Sequence, residues 1–147
     1  YLITKQVKDH YSSRNPLLQK LKSDIVNAIN NEKNVCHSEE NCRLKAQIDK
    51  HGGPKNCLDG ISIHEADSSY TINKQKVHLC LKDENGKYYE ENMLIYVLAH
   101  ELAHVLCESV GHTKEWQTIF DELLLCLERQ NVYDSSKPLI KNYCGHT

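Results

Sequence analysis

The sequence predicts a single α+β domain, and three observations lead to it. Apolar residues recur at helical spacing in three separate stretches, and they alternate with polar ones in the middle third. The chain has 147 residues, enough for one core and short for two. Hydrophobic residues make up 39% and charged residues 26%, a composition that packs rather than stays unfolded.

The first element is an N-terminal helix. Ser12, Ser13 and Asn15 are capping residues, and Pro16 follows at the position where proline suits a first helical turn. Leu18, Leu21, Ile25 and Ile29 then form one apolar face, which ends near Asn30 and Asn31. From about residue 34 to 60 the chain is mostly polar, with His51-Gly52-Gly53-Pro54 as a turn. Leu44, Ala46 and Ile48 support a short element of undefined type there.

Strands come next. Ile61 and Ile63 alternate with Ser62 and His64, Tyr70-Thr71-Ile72 follows, and Val77, Leu79 and Leu81 alternate with His78 and Cys80. Turn residues at 73–76 and 83–86 separate and close these runs, so a small antiparallel sheet is expected. Residues 93–106 are apolar nearly all round, which marks a helix buried on most sides, with Gly111 marking its end. Thr113 is placed to cap a final helix whose stripe is Trp116, Ile119, Phe120, Leu123, Leu124 and Leu127, with a stop near Asn131.

Charge narrows the function classes. The net charge is −2 with no dense Lys/Arg run, so direct nucleic-acid binding by this chain is not expected. No apolar stretch reaches the ~18–20 residues of a membrane span. The chain opens on Tyr1, as a processed or partial chain would, so any targeting segment would lie upstream of it.

Seven cysteines are many for this length. Cys36, Cys42 and Cys57 share a polar region, where a disulfide from Cys36 to Cys42 or Cys57 is one reading. A structural zinc site from Cys36, His37, Cys42 and Cys57 is another, weakened by the lack of a paired short-gap spacing. Cys80, Cys107 and Cys126 sit in apolar patterns and read as small buried hydrophobes.

The chemistry concentrates in HELAHVLCESVGHTKEW, residues 100–116. His100 and His104 are four apart, so on a helix both project from one face and can share one ion. Glu101, rotated by about 100°, lies outside the ligand shell but near it. Zinc lowers the pKa of its bound water to about 7, and Glu101 as general base takes that water's proton. Zinc in a catalytic site usually has three protein ligands, and His112 is the expected third, swung back by a left-handed turn at Gly111. Glu122, on the following helix, is the runner-up ligand, and Cys107 lies one turn past His104 as a further group near the metal. Transition-state donors are sought among Tyr88, Tyr89, Tyr133, Tyr143, His64 and His78, none of them favoured.

HELAH, a short loop, GHTKEW and an amphipathic helix resemble the SprT-like and WLM minimal zinc metallopeptidases. The resemblance extends to VHLCLK before the zinc helix and to NVY and NYCG after it, over roughly residues 60–145. It looks closest to small WLM-like proteins of large DNA viruses. It implies a zincin-like core over residues 1–147, Zn2+ on His100, His104 and His112, and Glu101 as base of a zinc endopeptidase. A protein or peptide substrate follows, with virion proteins as possible partners and a virion or infected-cell location. In such peptidases an edge strand beside the cleft pairs with extended substrate; residues 77–81 are the candidate, with an interior strand as the other reading. The rival function is a non-enzymatic virion component in which zinc only staples helices together.

Overall fold

Asn15 opens the first helix: its side chain accepts a hydrogen bond from the Leu17 amide, and Pro16 follows in the first turn. The computed structural model describes residues 14–32 and 42–144, so Ser12 and Ser13 lie outside the described residues. Helix α1 spans Pro16–Asn31 and buries Leu18, Leu21, Ile25, Ala28 and Ile29, the expected face plus one alanine.

The short element at residues 44–48 is a helix, α2, spanning Arg43–Lys50. Its buried positions are Leu44, Gln47 and Ile48, which is helical spacing rather than alternation. Two groups hold its first turn. The Cys42 sulfur accepts from the Lys45 amide, and the Glu122 carboxylate accepts from the Leu44 amide at 2.9 Å.

Strands β1 (Ser62–Glu65), β2 (Tyr70–Ile72) and β3 (Lys76–Leu79) form a sheet in the order β1-β3-β2. The expectation of an antiparallel sheet is corrected here: β2 and β3 are antiparallel, but β1 and β3 are parallel. The physical reason is that the chain reverses twice, at residues 66–69 and 73–75, so β1 and β3 run the same way, and burial decides which strand lies between the others. Val77, His78 and Leu79 are all buried, so this strand takes the interior place between its two half-buried neighbours. β3 is therefore an interior strand, and β2, not residues 77–81, is the edge strand nearest the helix that carries His100 and His104.

Helix α3 spans Glu91–Leu106 and buries eleven of its sixteen residues, as an all-round apolar helix must. It ends earlier than Gly111 suggests. Cys107 already has extended backbone, so a seven-residue loop, 107–113, separates α3 from α4 (Lys114–Arg129). Thr113 caps α4 as expected, accepting from the Trp116 amide at 3.2 Å, and Asn131 follows its end at φ 60°. Helices α1 to α4 and the inner face of the sheet share one core, with Leu94, Leu98 and Leu102 of α3 fully buried at its centre.

The cysteines distribute differently from the reading of the sequence. Cys80 is not a free buried thiol but pairs with Cys144, tying the C-terminal segment to the end of β3 across 64 residues. Tyr143 and Tyr89 reinforce that tie. The Tyr143 hydroxyl bonds the Cys80 carbonyl and Ser69, and the Tyr89 hydroxyl accepts from the Cys144 amide. Cys107 and Cys126 are free and buried, as expected. Cys42 is disulfide-bonded and Cys57 is free and buried, so these two do not make a zinc site together. Cys36 and His37 lie outside the described residues.

Candidate metal centre

One face of α3 presents His100 and His104, and the loop before α4 returns His112 to the same spot. The candidate ligand atoms of the three imidazoles all lie within 4.8 Å of one another, the only such group of metal-ligating side chains among the described residues. The rings are tilted at 57–71° to each other, so they meet across an open centre rather than stack. The return of His112 depends on backbone conformation. Gly111 has φ +87°, which L side chains rarely adopt, while nothing lies within 4 Å of where its Cβ would stand. Conformation, not crowding, requires glycine there.

Trp116, the only tryptophan, is the floor of the site. Its ring lies 4.7, 4.9 and 4.6 Å from those of His100, His104 and His112, and it stacks on His104. Its indole N–H donates to the His100 carbonyl at 3.3 Å. Nothing but its place four residues past His112 pointed to this in the sequence.

Glu101 is buried beside the histidines. Thr71 of β2 donates its hydroxyl to Oε1 at 2.7 Å, and His100 Nδ1 lies 3.2 Å from Oε2. An ionised carboxylate only accepts, so Nδ1 carries the proton and His100 keeps Nε2 free to bind an ion. A carboxylate has about four acceptor positions, which leaves Glu101 room for a water. Burial pushes the Glu101 pKa up. The hydrogen bonds from His100 and Thr71, with the charges His100 and His104 can carry, outweigh it and hold the pKa below the usual value. Glu101 is thus ionised at neutral pH, the form a base needs. His104 is pushed down to about 4, by burial first and by His100, His112 and Lys74 after it, against an opposing pull from Glu101. Its neutral imidazole is the ligand form.

The loop bearing His112 is held from three sides. Gln47 of α2 donates to the Leu106 carbonyl, capping the end of α3. Lys74, in the β2–β3 turn, bonds the carbonyls of Cys107 and Ser109. Glu115 of α4 accepts from the Ser109 amide and the Cys107 thiol at 3.3 Å, and Ser109 and Thr113 share a 2.6 Å hydroxyl contact. The Cys107 thiol is thereby turned to Ser109 and Glu115, away from the three histidines. Glu122, the runner-up ligand, lies outside that group and accepts from the Leu44 amide, which leaves His112 as the third candidate.

The proposed donors have other partners. Tyr88 accepts from Asn15 at 2.9 Å, Tyr133 packs on Tyr96, and Tyr89 and Tyr143 serve the C-terminal tie. His64 bonds Ser62, and His78 stacks between His64 and Tyr70. Three imidazoles with a carboxylate outside their shell, and no fourth protein ligand among the described residues, suit zinc in a site that keeps one position open.

No family model matches this chain, and no solved structure does. Its similarity is to proteins of large DNA viruses. It is 45% identical over 93 residues to uncharacterized protein 136R of Invertebrate iridescent virus 6, covering 61% of this chain and 52% of that protein. It is 46% identical over 91 residues to uncharacterized protein 042R of Invertebrate iridescent virus 3, covering 61% and 57%. A third relative, uncharacterized protein R325 of Acanthamoeba polyphaga mimivirus, is 37% identical over 68 residues, covering 45% and 34%. The matched segments span about half the length of the two iridescent-virus relatives and a third of the mimivirus one, and viral kinship is what these comparisons establish.

Proposed function

We propose that this chain is a zinc-dependent endopeptidase of the SprT-like or WLM type, acting on viral or host proteins in the infected cell or virion. The observation that carries the reading is the convergence of His100, His104 and His112 within 4.8 Å, beside the buried, ionised Glu101. Zinc on these three residues would supply a Lewis acid and bring a bound water's pKa to about 7. Glu101 takes a proton from the attacking water as its oxygen bonds the peptide carbonyl carbon, then delivers it to the nitrogen as the C–N bond breaks. Thr71 steadies Glu101 Oε1 during both transfers. Because Thr71 sits on the edge strand β2, substrate laid along that edge would come directly beside the base.

The reading in which zinc only staples helices is disfavoured by the donor set: closed structural sites fill all four positions with protein ligands. The Cys107 thiol, which would have closed this one, is bonded to Ser109 and Glu115. Glu101→Gln is the deciding variant. It should keep about one zinc per chain, by metal analysis, while losing cleavage of an unfolded fluorogenic protein. Undiminished cleavage by the variant would remove Glu101 from the mechanism. A zinc-loaded wild type that cleaves nothing, and unfolds on chelation, would establish the staple.

A further inference from the structure

We propose that Lys74 is the positioning residue for the third metal ligand, clamping the 107–113 loop to the β2–β3 hairpin so that His112 is delivered to His100 and His104. This rests on the metal-centre reading above and extends it to a residue in another part of the fold. The first observation is conformational. Lys74 has φ 56° and follows Asn73 at φ 52°, so the turn needs left-handed backbone at two successive positions. Asparagine tolerates that conformation and glycine adopts it freely, but lysine gains nothing from it. A lysine held there against its backbone preference indicates that its side chain is what the position requires.

The second observation is where that side chain goes. Asn73 and Gln75 are exposed, whereas Lys74 is half-buried, its ammonium on the Cys107 carbonyl and, at 2.8 Å, on the Ser109 carbonyl. Both carbonyls belong to the loop just past the end of α3, near the partial negative charge of the helix C-terminus. A cation suits them.

The third observation is what the clamp restrains. Seven residues separate His104 from His112, and His112 itself is exposed, so burial does not hold it. With Cys107 and Ser109 pinned, only Val110 and Gly111 remain between the last pinned residue and His112. Ligands placed in advance need less ordering when the ion arrives, so affinity depends on the clamp. The same hairpin also supplies Thr71 to Glu101, so the sheet braces the site at its base and at its third ligand.

The test separates positioning from stability by substituting the residues that the backbone prefers. Zinc affinity is measured by competition with a chromophoric chelator, and metal-free thermal melting is recorded in parallel. Lys74→Gly and Lys74→Asn should bind zinc about tenfold more weakly while the metal-free protein melts at the wild-type temperature or above it. Lys74→Arg, which keeps a cation in reach, should restore affinity to within about threefold of wild type. Wild-type zinc affinity in Lys74→Gly overturns the proposal. So does an affinity loss matched by a fall in metal-free melting temperature, which would make Lys74 a general structural contact. A wild-type chain that binds no zinc fails the metal-centre reading itself, an outcome distinct from either.

Discussion

Among the described residues two groups of histidines come together, and they do so in opposite ways. His100, His104 and His112 tilt toward one another so that their candidate ligand atoms converge on a shared centre. His64 and His78, paired in register on adjacent parallel strands, lie face to face at 5.2 Å and 26°, with Tyr70 stacked on the far side of His78. The difference follows from the elements that carry them. A helix turn and a returning loop aim rings inward from different directions. Neighbouring strands line side chains up in parallel, which favours stacking. Clustering of histidine alone is thus no sign of a metal site; convergence of the nitrogens is. The two regions are also secured differently, the sheet end by the Cys80–Cys144 disulfide and the 107–113 loop by hydrogen bonds and the Lys50–Glu108 ion pair.

The two regions can be perturbed separately. The largest effect belongs to the covalent tie. Opening Cys80–Cys144 with Cys144→Ser releases a loop of separation 64, and chain entropy puts the loss at about 4 kcal/mol. Denaturant melts should register that loss while zinc affinity stays near wild type; a large fall in affinity would show that the two regions are not independent. Next comes His104→Ala, which removes a proposed ligand and should weaken zinc binding by more than about a hundredfold. Under the same chelator competition, His78→Phe should change affinity by less than about threefold. Equal losses in both variants would erase the distinction between the clusters.

A smaller effect is pH-dependent. Burial, then His64 and Lys76, lowers the His78 pKa from 6.5 to about 4, and burial likewise lowers His64. Between these values the unfolded chain binds the proton that the folded chain refuses. Stability contributed by neutral His78 is therefore complete above pH 6.5, declines as pH falls toward 4, and levels off below. Its size is about 1–3 kcal/mol, and melting curves of His78→Phe, which keeps the stack but cannot titrate, should be flatter through that window.

The smallest effect concerns Glu101, the proposed base. Thr71→Val removes the hydroxyl that stabilises ionised Glu101, so the Glu101 pKa should rise. The acid limb of a cleavage–pH profile should then move up by about half a unit to one unit. An unmoved limb would detach Thr71 from the chemistry.

By itself, the sequence determined the parts whose logic is local. Helical spacing placed His100, Glu101 and His104 on α3, Gly111 marked the left-handed turn that returns His112, and Asn15 and Thr113 capped their helices as their types require. Apolar periodicity placed α1, α3, α4 and the strands, while Leu44, Ala46 and Ile48 marked a short element without fixing its type, because eight residues give a weak period and the buried position is Gln47 rather than Ala46. Tertiary structure decided what depends on partners distant in the chain. The parallel pairing of β1 with β3 follows from two chain reversals, at residues 66–69 and 73–75, together with β3 taking the buried place between β1 and β2. The Cys80–Cys144 tie needs a tail returning from 64 residues away. Glu122 serves α2 rather than a metal because α2 docks against it, at 2.9 Å from its carboxylate. Thr71, Lys74 and Trp116 reach the site only once hairpin, loop and helix are packed, since hydrogen bonds and ring contacts act over a few ångströms and sequence patterns record only neighbours along the chain.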